Sequence, residues 1–480
     1  MAGSLGRALR RFGPLRFDSA DNAAAAVRSV RDACTPGHAA AAAAAVGTGS
    51  LAPGREDLSQ WRTPGVICVV NPAAGRGRGR QEMEETVRPM LRAAGVPWME
   101  LATGGSLDAA RIVAQLPLGG HVAKVRAIAV VGGDGTLHEV LQGLMQRPDW
   151  DAVRLVPLAM VGSGTGNAAA VNVGIAGTVA GTLAVIKGAS TPLDVFSCHA
   201  LRASPSGARF ELLRYGLLSL TACMIARTDL GTDHLRWMGD ARFTLGILQD
   251  IAGNRRYPLD VFTYSGGGGG RGEGRPSRAA PAGPRDLSVD VQALAESFCL
   301  GEPPLFRELL GGDGEGHVEL EASGLRDVGR VLAAALEGAE GVEGAEGWQR
   351  VSQGTFGMWG VYNMPWISRD CLICPGQAPG SGELKATWLA EDATLGEKLG
   401  ALLASEGQEG GELLARHRAY REATCRGVLV MPRRGGPRHW MSLDGEEIAP
   451  CPLYLETHPG LCRIVVAGDR EGDRGGVAFA

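Results

Sequence analysis

The sequence sets an apolar run, Ala127–Val131, directly against Gly132-Gly133-Asp134-Gly135, and follows it with Leu137, Val140, Leu141 and Leu144 at helical spacing. Such a segment is a buried strand, a tight glycine turn and the start of a helix. Gly132, Gly133 and Gly135 let the backbone come close to a polyphosphate and offer N–H groups where the helix dipole also favours anions. Asp134 can only accept, so beside a phosphate it suits orienting and deprotonating a hydroxyl for in-line attack on a γ-phosphorus. Taken alone, the segment also reads as a strand-to-helix turn with Asp134 as its cap. The string GGDGEG recurs at residues 311–316 with no apolar strand before it and no apolar helix after it, and there it reads as a glycine-rich loop.

Two further polar loops follow apolar runs. Val66–Val70 leads into Asn71-Pro72-Ala73 and Gly75-Arg76-Gly77-Arg78, whose arginines could reach phosphate oxygens. Leu155–Val161 leads into Gly164-Thr165-Gly166-Asn167, which by itself is equally a plain turn. Neither loop is GxGxxG or is followed by Gly-Lys-Ser/Thr, which argues against dinucleotide dehydrogenases and P-loop ATPases. Between the loops, Arg80–Ala94 and Leu107–Gln115 read as helices and Trp98–Ala102 as a strand, so β and α alternate. An open α/β sheet binds ligands at the carboxyl ends of its strands, where these loops fall. Past Leu193 the texture shifts to segments such as Phe210–Tyr215, Leu259–Tyr264 and Gly427–Met431, which predict a second, mainly antiparallel domain.

The 480 residues exceed one usual core and predict two domains with appendages. The expected division is an N-terminal segment and linker at 1–62, a nucleotide-binding α/β domain at 63–190, a β-sandwich substrate domain at 191–460, and a C-terminal strand and tail at 461–480. Glycine-dense stretches near 265–283 and 337–347 read as disordered insertions. A net charge of −4 gives no electrostatic footprint for nucleic acid. Ten cysteines include one CxxC, Cys371 and Cys374, without zinc spacing, and read as reduced thiols. No apolar run approaches the ~18 residues of a membrane helix, so contact with lipid would be peripheral. The opening MAGSLGRALRRFGPLRF has the composition of an organelle transit peptide and also reads as a strand, Pro14–Phe17, before a helix, Asn22–Cys34.

Together the Asn71-Pro72 loop, GGDGTLHEV (132–140) and GTGN (164–167) resemble the diacylglycerol kinase catalytic-domain superfamily, which includes sphingosine and ceramide kinases. Within it, Leu137–Trp150, Thr191-Pro192-Leu193-Asp194 and Asp229–Gly246 are most similar to sphingosine kinases, over roughly residues 63–265. The similarity resumes at Asn363–Trp366, Ser381–Leu384, Asp444-Gly445-Glu446 and His458-Pro459. Gly132 and the GTGN loop, where sphingosine kinases commonly carry serines, lean toward the diacylglycerol kinase pattern. The resemblance implies a nucleotide-binding α/β domain, a β-sandwich lipid-binding domain, and ATP with Mg2+ as phosphoryl donor. It implies Asp134 as catalytic base. Around the nucleotide it implies Asn71, Pro72, Ala73, Arg76, Arg78, Thr103, Gly132, Gly133, Gly135, Glu139, Gly164, Thr165, Gly166, Arg236, Arg242, Asp444, Gly445 and Glu446, with metal ligands unassigned. Asp229 would take the substrate's amino group, assisted by Asp233; a sphingoid base is an ammonium at neutral pH, whereas ceramide and diacylglycerol carry no such charge. The partners implied are a sphingoid-base lipid and a peripheral membrane surface in the cytoplasm. Ceramide kinase, diacylglycerol kinase, NAD kinase and a lipid-binding pseudokinase stand as alternatives.

Overall fold

A computed structural model describes residues 58–162, 167–204, 207–232, 241–266, 287, 289–310, 320, 322–369, 371–405 and 410–468. The N-terminal strand and helix, the GGDGEG repeat and most of the expected 265–283 insertion lie outside the described residues. The chain divides into two compact units: one runs to Thr191 and resumes at Cys462, and the other is Pro192–Leu461.

The first unit is a parallel sheet. Its strands β1 (Gly65–Val70), β2 (Trp98–Ala102), β3 (Val125–Val131) and β4 (Leu158–Met160) lie in the order β2-β1-β3-β4. All six residues of β1 are buried, as a strand covered on both faces requires. Helices α1 (Asp108–Gln115), α2 (Asp134–Met145), α3 (Ala168–Asn172) and α4 (Thr178–Lys187) follow the strands. The expected helix at 80–94 is three consecutive pieces, Gly79–Glu82, a π-helical turn Met83–Val87, and Arg88–Ala94. Close packing depends on glycine at two places: a Cβ at Gly143 of α2 would meet the Ala110 carbonyl of α1 at 2.4 Å, and one at Gly181 of α4 would meet the Met160 carbonyl of β4 at 2.5 Å. From β1 the chain goes to β2 on one side and then returns to β3 on the other, so the carboxyl ends of β1 and β3 form a topological switch point.

The second unit is a β-sandwich. Its strands are β5 (Ser190–Ser204, entering from the first unit), β6 (Gly207–Gly216), β7 (Ser219–Ala222), β8 (Tyr257–Tyr264), β9 (Trp348–Phe356), β10 (Met358–Tyr362), β11 (Trp366–Ser368), β12 (Cys371–Leu372), β13 (Leu384–Leu389), β14 (Tyr420–Cys425), β15 (Gly427–Pro432), β16 (Met441–Leu443), β17 (Glu446–Ile448) and β18 (Leu453–Val465). One antiparallel sheet carries β18-β15-β8-β9, with β5 joined to β18 and to β6; the other runs β14-β13-β10-β7-β16-β17. Phe196, Val261 and Val430 of the first sheet share a buried core with Leu220, Trp359 and Ala386 of the second. Helix α5 (Cys223–Gly231) and helix α6 (Ala241–Ala252) belong to a further apolar cluster through Met224 and Ile251, together with Met358 and Tyr362 of β10. The stretch 337–347 differs from the expected disordered insertion. Glu337 ends the helix Val328–Glu337, Gly338 caps it at φ 69°, and Gly347 accepts a hydrogen bond from the Ser265 backbone at 2.9 Å. Gly338, Gly344 and Gly347 serve turns with positive φ, the role for which glycine is best suited.

Candidate active site

At the switch point, Asn71 leaves β1 and its backbone N–H donates to the Val131 carbonyl of β3 at 3.0 Å. Its side-chain amide donates to Thr136 Oγ1 of α2 at 3.0 Å, while its Oδ1 accepts from the Ala73 N–H at 3.0 Å. One side chain therefore ties the first loop to the second. Gly79 must be glycine here, because a Cβ would fall 2.1 Å from the Asn71 carbonyl. Pro72 is half-buried and Ala73 exposed. Arg78 is exposed and donates to the Gly75 carbonyl at 3.2 Å, with Glu82 at 3.9 Å; Arg76 lies in the helix Ala74–Gly77.

Gly132 and Gly133 turn the chain from β3 into α2, whose first residue is Asp134. The side chain of Asp134 bonds outside its own helix: Oδ2 accepts from the Ala168 N–H at 2.7 Å and Oδ1 from the Ala169 N–H at 3.0 Å. These N–H groups open α3, so the carboxylate is locked onto the start of the helix that follows the third loop. Of the third loop, Gly164, Thr165 and Gly166 lie outside the described residues. Asn167, which closes it, is buried at φ 31° and fits against Gly162, where a Cβ would lie 2.2 Å from its amide nitrogen.

A Cβ on Gly132 would come 3.0 Å from Thr136 Oγ1 and 3.2 Å from Thr136 Cβ, so a larger residue displaces the threonine that Asn71 holds. Thr103 follows β2, with its N–H donating to the Val70 carbonyl at 2.8 Å. The two oxygens of Glu139 accept from the Leu107 and Ala109 N–H groups at 2.9 and 3.1 Å, bracketing the start of α1. It therefore holds the loop that contains Thr103. The structure brings Asn71, Thr103, Gly132–Gly135 and Glu139 together at one end of the parallel sheet.

In the second unit, Asp229 is half-exposed on α5. Asp233 and Arg236 lie outside the described residues, and Arg242 is in the first turn of α6. Asp444 and Gly445 form a two-residue hairpin turn between β16 and β17 at φ 51° and 93°, the left-handed pair such turns demand. The Asp444 carboxylate accepts from the Leu217, Leu218 and Ser219 N–H groups at 2.8 to 2.9 Å, which makes it a backbone anchor. Glu446 is exposed. Sequence reasoning passed over Arg214 on β6, whose buried guanidinium has its pKa lowered by desolvation and raised in part by the Glu446 and Asp444 charges. Its only signal was a cation inside the apolar run Phe210–Tyr215.

The scattered motifs after residue 190 acquire a reason. Buried Asp194 accepts from the Gly460 N–H at 2.7 Å and the Gly382 N–H at 2.6 Å, and its carbonyl accepts from Asn363 Nδ2 at 2.8 Å. Gln377 adds a bond to the Glu383 carbonyl at 2.7 Å. Desolvation raises the Asp194 carboxyl above its ordinary range, against the pull of the two backbone bonds.

Residues 65–198 match the diacylglycerol kinase catalytic domain. The chain is 32% identical to sphingoid long chain base kinase 5 of Saccharomyces cerevisiae over 203 residues, which are 42% of this chain and 28% of that protein. It is 32% identical to mouse sphingosine kinase 1 over 202 residues, 40% of this chain and 50% of that one. It is also 32% identical to human sphingosine kinase 2 over 252 residues, 50% and 35% of the two chains. The matches thus span half or less of each relative. The resemblance to sphingosine kinases read from the motifs is present in these comparisons.

The chemistry of the donor set fits a nucleotide's phosphates, with glycine loops and helix starts gathered at the switch point. Among the described residues, no group of three or more His, Cys, Asp or Glu side chains could hold a metal ion. No helix among them is long and apolar enough to cross a membrane.

Proposed function

We propose that the chain is a lipid kinase that transfers the γ-phosphoryl group of ATP to the primary hydroxyl of a sphingoid base. The observation that carries this reading is the setting of Asp134, a carboxylate fixed by two backbone N–H groups between glycine loops at the sheet's switch point. Its acceptor-only chemistry suits receiving the proton of a hydroxyl as the oxygen attacks phosphorus. The backbone around Gly132–Gly135, with the loops of Asn71 and Gly164–Gly166, would bind the phosphates. Arg76, Arg78, Arg236 and Arg242 would neutralise them. Mg2+, when bound, would neutralise the transferring group through the phosphate oxygens. No ligand to the metal is assigned from this chain.

Similarity to sphingosine and long chain base kinases supports an amine-bearing acceptor, and Asp229, with Asp233, is the group we assign to its ammonium. Glu139 and Asp444 we assign to positioning loops rather than to touching nucleotide. A lipid acceptor places the reaction at a membrane surface, with the chain bound to it peripherally.

The test is transfer of labelled γ-phosphate from ATP by the full chain to sphingosine, ceramide and diacylglycerol in mixed micelles, with Asp134→Asn as the blank. Labelling of sphingosine alone supports the reading. Labelling of a neutral lipid keeps Asp134 and moves the acceptor class; labelling undiminished in Asp134→Asn removes Asp134 as the base.

A further inference from the structure

Helix α5, which carries Asp229, is short and starts under constraint. Its first residue, Cys223, is buried at φ 62°, a region that side-chain-bearing residues rarely adopt. Nine residues make a helix too short to be stable alone, so neighbours must set its rotation. One neighbour is α6. Gly246 of α6 lies so close that a Cβ there would meet Thr232 Cγ2 at 2.9 Å and Thr228 Cγ2 at 3.0 Å. Beside this contact Arg227 Nη1 reaches Asp250 Oδ1 at 2.8 Å, with side-chain exposures of 17% and 2%.

Asp250 is itself gripped from the other side. Its Oδ2 accepts from Tyr257 of β8 at 3.2 Å, and Arg255 Nε lies 3.7 Å from Oδ1. Next to this group, buried Lys398 donates to Asn254 Oδ1 at 2.9 Å and adds a cation to the field of Asp250. Burial raises the Asp250 carboxyl above its ordinary range, and the Arg227 charge is the largest influence opposing it. Two apolar side chains would hold a pair of helices together at least as well as a buried ion pair, so stability alone does not account for the charges. What they add is a specific attachment: Arg227 Nη1 lies 2.8 Å from Asp250 Oδ1 and also donates to the Gly246 carbonyl at 3.5 Å, so one side chain of α5 is held to α6 at two points.

Arg227 and Asp229 are two positions apart, about 200° around the helix axis. Fixing one therefore sets the side of the helix on which the other stands. We propose that Arg227 and Asp250 are a positioning pair, which sets the rotation of α5 and thereby the presentation of Asp229 to the ammonium of the acceptor lipid. The inference rests on the role given to Asp229 above. Neither residue of the pair touches substrate, so both act through Asp229.

The test measures KM for sphingosine and for ATP separately in the full chain. Asp250→Asn is expected to raise the sphingosine KM about tenfold while leaving the ATP KM within about twofold. Arg227→Gln is expected to raise the sphingosine KM by a similar factor, and Arg227→Gln/Asp250→Asn by no more than about threefold over either single variant, because a direct interaction is lost only once. Equal changes in the sphingosine and ATP KM values, or effects of the two substitutions that multiply, overturn the proposal. Where Asp250→Asn does not fold, Arg227→Gln alone decides, and a sphingosine KM that it leaves unchanged counts against the pair. Asp229→Asn runs beside them. If Asp229→Asn leaves the sphingosine KM unchanged, the reading of the amine site fails; if it raises that KM and Asp250→Asn does not, only the positioning pair fails.

Discussion

The buried histidines of the sandwich make its stability depend on acid in a calculable way. His199 lies on β5 and His458 on β18, and both are buried. His458 Nε2 is 2.9 Å from Ser197 Oγ. Burial holds His199 down at about 4, opposed in part by a bond with the Tyr454 backbone. Burial, then His199, then the Arg426 charge hold His458 down at about 3. Both are therefore neutral when folded, while in the unfolded chain each titrates near 6.5. Below that value the unfolded state binds more protons, so stability is lost as pH falls through 6.5 and goes on falling toward the folded values. From pH 7 to pH 5 each histidine costs about 2 kcal/mol, roughly 4 kcal/mol for the two, a large part of the 5–15 kcal/mol typical of a folded protein. Asp194 and Asp250, whose carboxyls burial raises, act in the opposite sense, and buried His439, which desolvation lowers, adds in the same sense, so the wild-type curve alone does not isolate His199 and His458. The assay is urea unfolding followed by tryptophan fluorescence at pH 7.5, 6 and 5, for wild type and for His199→Gln/His458→Gln. Buried Trp359 of the sandwich core serves as reporter. The double variant should lose most of the acid sensitivity of the midpoint. A wild-type midpoint whose acid dependence the double variant leaves intact would refute the reasoning.

Three other changes test the local geometry. Asp194→Asn turns an acceptor into a donor facing the N–H of Gly382 or Gly460, and should cost about 3 kcal/mol, lowering the melting midpoint by roughly 10 °C in calorimetry. Glu139→Gln weakens the two bonds at the start of α1 and should raise the KM for ATP several-fold with little change in the lipid KM, measured by initial rates at varied nucleotide. Gly132→Ala presses on Thr136 and should weaken nucleotide binding in titration calorimetry, and adding Thr136→Ala should cost less than the two single effects summed.

The switch-point end of the first unit was legible because its strands β1 and β3 end in apolar runs closed by polar glycine turns. β2 falls at the residues read for it, and Asp134 opens a helix as its context required. The backbone partners of Glu139 and Asp444 were not legible. Their partners are backbone N–H groups 30 and more than 220 residues away, and no spacing rule connects a carboxylate to an amide at that separation. Asp444-Gly445 does carry a local signal, an Asp-Gly dipeptide between short apolar segments, which marks a hairpin turn as readily as a ligand site. The Arg227–Asp250 pair shows the same limit, since nothing in either helix's own pattern names the other as its partner.

The division of the chain also bears on how the protein is made. The strand segment after Leu461 contributes buried Cys462, Ile464 and Val465 to the first unit, and Ile464 pairs with Leu158 beside β4. A ribosome completes that segment only after about 270 intervening residues of the second unit have emerged. During synthesis the parallel sheet waits with β4 as an uncovered edge, and an exposed apolar edge invites pairing with a stray chain. Released chains that end at Leu461 should therefore engage holding chaperones through the first unit, and chains that run on past Val465 should not.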